Sequence, residues 1–170
     1  MTSLVDLTLA VRRLIHAVAD RLQWLPPTLA RFVVGWVFLW TGWGKLHNLE
    51  RIVAYFGQLG IPRPQLLAPF TSANELVCGT LILLGLFTRL ATVPLVIVMF
   101  VAIMTAQRAN VSSLGDLFGL VEFCYVALLV WLGVAGAGPL SLDHLLVRWA
   151  TSREPHRPIG GLRSATAPTR

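Results

Sequence analysis

The chemistry in this 170-residue chain rests on a few ionisable side chains set in or beside long apolar stretches. Glu75 lies within PFTSANELVCGTLILLGLF and Glu122 within LFGLVEFCYVALLVWLGVAGA. Lys45 closes LARFVVGWVFLWTGWGKL, and Arg108 follows LATVPLVIVMFVAIMTA. Left alone in hydrocarbon, a charged group costs roughly 2.5–3.5 kcal/mol on insertion scales. Two basic and two acidic groups, one from each segment at matching depth, therefore read as one buried cluster able to hold a ligand or pass a proton. A cluster that only locks helix register is an equal reading. Thr71, Asn74, Glu75, Cys78 and Gly79 follow i, i+3, i+4 spacing, which puts Asn74 and Cys78 on the face of Glu75. Cys78 one turn from a carboxylate suggests thiol chemistry, although a buried cysteine is more often an inert small hydrophobe. Whether Cys78 and Cys124 approach each other is left open by the sequence.

Other chemistry is excluded. Neither cysteine belongs to a CxxC or zinc pattern, and no metal site is expected. The four histidines, His16, His47, His144 and His156, fall outside the apolar segments and cannot supply paired haem ligands. Phosphate loops, nucleophile elbows and dinucleotide fingerprints are absent from the sequence.

Those residues need elements to position them, and composition names the solvent. Hydrophobic residues make up 55% of the chain and charged ones 13%, with a mean hydropathy of +0.69. Soluble domains carry roughly 25% charged residues, so a soluble monomer has too little polar surface here. The expected fold is all-α: an integral membrane four-helix bundle with spans at about 29–46, 69–87, 90–106 and 117–137, each near the roughly 20 residues that cross a bilayer. Residues 1–27 are expected to form an amphipathic interfacial helix, with an apolar row of Leu7, Val11, Leu14, Val18 and Leu22, ended by Pro26 and Pro27. A second short amphipathic helix is expected over 48–60, in the first outer loop, before the turn at Ile61–Pro64. The bundle domain covers 28–150, and 151–170 reads as a basic disordered tail.

The net charge of +6 does not mark a nucleic-acid binder, because the basic residues are scattered and flank apolar segments. Ten of the fourteen Lys and Arg residues fall on the side of the termini and the second loop; Lys45, Arg51, Arg63 and Arg108 fall on the other. This bias places both termini in the cytoplasm. On that inner side Asp143 is placed to pair with Arg89 or Arg31, and Ser141 to cap a short helix running through Arg148.

The chain resembles the DoxX family of small four-helix bacterial membrane proteins, related to the small membrane subunit of thiosulfate:quinone oxidoreductase. The resemblance is carried by Arg31, Gly35, Gly42 and Lys45, by LGIPRP at Leu59–Pro64, and by Glu75 and Gly79. It continues through LLGLFTRLA at Leu83–Ala91, Glu122 and GAGPLSLD at Gly136–Asp143, covering about Leu29 to Leu146. It implies a bacterial inner-membrane location, and Lys45, Glu75, Arg89 and Glu122 as shared polar positions. Some members are linked to thiosulfate or quinone oxidation, others to membrane complexes that handle thiols and oxidative stress. The expected function is a membrane subunit of a quinone- or thiol/sulfur-linked redox complex, with quinone as the candidate cofactor and a partner subunit or a second copy as partner. A non-enzymatic scaffold is the alternative, and a small-solute or proton transporter a more distant one.

Overall fold

The computed structural model describes residues 2–151, with side chains from Asp6 onward; most of the basic tail expected at 151–170 lies outside the described residues. All regular elements among them are helical: α1 Thr2–Leu22, α2 Leu25–His47, α3 Leu49–Gln58, α4 Pro64–Leu84, α5 Thr88–Thr105, α6 Leu114–Gly119, α7 Val121–Ala135 and α8 Leu142–Thr151. A single 3-10 turn, Arg108–Asn110, follows α5. The helix α2 packs on α4, α4 on α5 and α5 on α7, and α7 returns to α2 to close a ring of four.

The ring surrounds an apolar core in which Val34, Ile82, Leu95, Leu129 and Leu132 are completely buried. Its outside is equally apolar. Trp36, Phe70, Val93, Ile97, Phe100 and Val130 are all more than half exposed. Exposed apolar surface on this scale suits contact with lipid or another protein, not water. By length and composition α4 and α5 can cross a bilayer, whereas α7, at 15 residues, is shorter.

Three boundaries differ from the sequence-based expectation. Pro26 and Pro27 do not end α1, which stops at Leu22; they sit in the first turn of α2, where a missing N–H costs nothing. Helix α4 begins at Pro64 and runs through Pro69, so Glu75 lies near its middle. The fourth apolar segment is broken at Leu120, whose φ of −73° and ψ of 134° are extended. A capping box between Ser113 and Asp116 starts α6 independently, and Gly119, a weak helix former, ends it. Glu122 therefore stands in the first turn of α7.

Candidate functional site

Contact between α2 and α4 sets the site. A Cβ added at Gly35 would lie 2.7 Å from Leu83 N, one at Gly79 2.5 Å from Leu39 N, and one at Gly42 would collide with Leu76 N. Only glycine allows these backbones to approach so closely. Lys45 follows Gly42 by less than a turn and Glu75 precedes Gly79 by about one, so this register delivers both to one level. Lys45 Nζ donates to Glu75 Oε1 at 2.6 Å and to Oε2 at 2.7 Å. Glu75 is 1% exposed and Lys45 32%, so the pair is half open.

The open side faces a cavity of about 350 Å³ between α3, α4 and α5. Lys45 and Glu75 line its wall along with Tyr55, Phe56, Thr71 and Met99, and apolar side chains form most of the rest. The short helix α3 supplies one wall because the amide of Asn48 closes the chain back on Gly44 O at 2.9 Å and ends α2 there. Aliphatic and aromatic walls with one charged pair form a typical small-ligand site.

The structure divides the four expected charges. Arg108 lies exposed in the 3-10 turn, and the carboxylate of Glu122 instead receives the side-chain amide of its neighbour Gln107 at 2.8 Å. Glu122 does not line the cavity beside Lys45 and Glu75. Asn74 does not reach Glu75; its Oδ1 accepts the Cys78 thiol at 3.3 Å. Both cysteines are free, Cys78 buried and Cys124 exposed. Among the described residues no group of three metal-ligating side chains occurs.

At the opposite end of the ring Arg31, 3% exposed, donates to Ala137 O at 3.0 Å and Leu140 O at 2.8 Å. Its guanidinium lies against Gly85, where a Cβ would collide with Nη1. Gly85 also ends α4 at φ 69°, a conformation that favours glycine. Asp143 makes no ion pair with Arg31 or Arg89 among the described residues. Its Oδ1 accepts Phe87 N–H at 3.0 Å, and its own N–H donates to Gly85 O at 3.0 Å. The Ser141 hydroxyl caps α8 by accepting His144 N–H at 3.2 Å.

Sequence reasoning missed Gln107 and the aromatic residues of α3. Gln107 has no formal charge, and beside Arg108 it drew no notice. Tyr55 and Phe56 fall within the short amphipathic helix expected over 48–60; their role as cavity wall follows from α3 folding back over α4, which no local pattern encodes.

Comparison with known proteins places these features. The family model described as DoxX matches residues 27–108, from the start of α2 to the turn after α5. The chain is 35% identical to "Uncharacterized membrane protein Rv3486" of Mycobacterium tuberculosis, over 82% of this chain and 90% of that one. It is 32% identical to "Putative oxidoreductase CatD" of Bacillus subtilis, over 68% and 82%. It is 31% identical to "Inner membrane protein YphA" of Escherichia coli, over 68% and 86%. No solved structure matches the chain.

Proposed function

The chain belongs to the DoxX family of membrane proteins, and from that premise we propose that it is an integral membrane subunit of a quinone- or thiol/sulfur-linked redox complex. Four helices, α2, α4, α5 and α7, cross the bacterial inner membrane with both termini in the cytoplasm. Lys45, Glu75 and the cavity then lie in the outer half of the bilayer.

The observation that carries this reading is the Lys45–Glu75 pair on the wall of an apolar cavity. The residues fit a quinone: the apolar walls would take the ring and its hydrocarbon tail, and the Lys45 ammonium would hold its polar edge. Glu75, buried and bonded to Lys45 through both oxygens, holds the ammonium in place. A quinone bound there would supply the redox chemistry, and the fixed Lys45 ammonium would favour negative charge placed beside it. The electrons come from a partner subunit with its own redox centre.

Replacing Glu75 with Gln tests this in membranes containing the whole complex. The variant is expected to insert normally and to lose most quinone-coupled activity. Unchanged quinone reduction would reject the assignment. One feature favours a second reading, a scaffold that recruits partners: every described side chain of α1 is exposed, including an apolar row and Arg12, Arg13 and Arg21. Deleting residues 1–22 would release partners under that reading and leave a quinone-linked activity intact.

A further inference from the structure

A second cavity, of about 520 Å³, opens at the Arg31 end where α5 begins, α7 ends and α8 begins. Five polar residues line it: Thr88, Arg89, Ser141, Asp143 and His144. Thr88 is 1% exposed, and its hydroxyl has no partner among the described residues. The Arg89 guanidinium is likewise unpaired among the described residues. It lies beside Gly136, where a Cβ would stand 3.4 Å from Nε and 3.5 Å from Nη2. Both residues belong to the first turn of α5, whose N–H groups and dipole favour an anion. At that same helix start Asp143 spends Oδ1 on Phe87 N–H and keeps its other oxygen without a partner among the described residues.

The wall thus presents the unpaired guanidinium of Arg89 and, at the same helix start, a free carboxylate oxygen of Asp143. A simple anion gains from the first and is repelled by the second. A ligand bearing both a phosphate and an ammonium satisfies both. The rim adds hydrocarbon-facing surface, with Leu90 72%, Phe87 61% and Val147 61% exposed. This is the level at which the long helices end, where lipid headgroups lie.

We propose that this cavity binds the headgroup of a zwitterionic phospholipid. Its phosphate is held by Arg89, its ammonium by the free oxygen of Asp143, and its acyl chains lie along Leu90. The site is separate from the Lys45–Glu75 cavity and does not depend on the redox reading.

Native mass spectrometry of the full chain in mild detergent, titrated with phosphatidylethanolamine or phosphatidylglycerol, tests it. Phosphatidylethanolamine is expected to bind at least about tenfold more tightly, the effect of one charge-assisted hydrogen bond. Arg89→Gln, which removes the cation from the phosphate both lipids share, is expected to weaken binding of both about tenfold and to leave the preference in place. Asp143→Asn, which keeps an acceptor for Phe87 N–H, is expected to bind the two lipids alike. Phosphoethanolamine without acyl chains is expected to compete weakly. Equal binding of the two lipids by the wild type, wild-type binding by both variants, or competition by phosphoethanolamine as strong as by the lipid would each overturn the proposal. Unfolding temperatures without added lipid show that the variants remain folded, and Arg89→Gln, an exposed residue, carries the test if Asp143→Asn does not.

Discussion

The two ends of the helical ring each hold a cation in an apolar setting and neutralise it by different means. Lys45 meets a carboxylate, through both oxygens, beside an open cavity. Arg31 meets two backbone carbonyls of the Gly136–Leu140 region, with its guanidinium almost wholly buried. The Lys45 end opens on a cavity, so its ammonium is half exposed beside free space. The Arg31 end is closed, a clasp that joins α2 to the chain after α7. Position also follows chemistry: a planar fork suits two carbonyls at set angles, whereas an ammonium suits a compact point contact.

Substitutions sharpen this contrast. Lys45→Met strands the buried Glu75, and the cost is expected to be roughly 3 kcal/mol, the lower end for a broken buried pair because Lys45 is 32% exposed. Thermal unfolding in detergent reads it. Replacing both Lys45 and Glu75 with Met should restore most of that loss, because an apolar pair of similar volume is often neutral. At the other end Arg31→Lys is expected to cost about 2 kcal/mol, since one ammonium cannot reproduce both carbonyl bonds. Lys45→Arg, by contrast, keeps its carboxylate partner and should cost clearly less. Equal losses for the two conservative exchanges would break the comparison.

Smaller effects lie beyond the two clasps. Gln107→Ala removes the amide from Glu122 and should cost about 1 kcal/mol, measured the same way. The carboxyl of Asp116 is held below the usual carboxylate range by the Ser112 N–H, the Ser113 hydroxyl and the Ser113 N–H. With a depressed folded value, its stabilisation is complete above the unfolded value of about 3.9 and is lost as pH falls through the folded one. The acid limb of the stability curve should therefore be slightly flatter in Asp116→Asn.

The helices were legible because their apolar runs and breaks are local. The glycines at 35, 42 and 79 stood in the sequence as positions shared with the family, and the contact they make carries Lys45 to Glu75. Arg108 was misplaced because matched depth was inferred from sequence distance, while the chain turns into a 3-10 helix after Gln107 and carries the guanidinium out. Asp143 was expected against arginine because formal charges attract attention. Its actual partner, the Phe87 N–H, exists because Phe87 adopts a left-handed φ of 49°, a conformation no aromatic residue announces.

The break at Leu120 has a consequence for the surrounding bilayer. At 1.5 Å per residue the 15 residues of α7 extend about 22 Å, against a hydrocarbon thickness of ~30 Å. In a chain inserted as proposed, lipid on that flank must thin or the bundle must lean, at a fraction of a kcal/mol per ångström of mismatch. The protein would then settle preferentially in short-chain, thinner patches of membrane, with α7 on the side that feels thickness most.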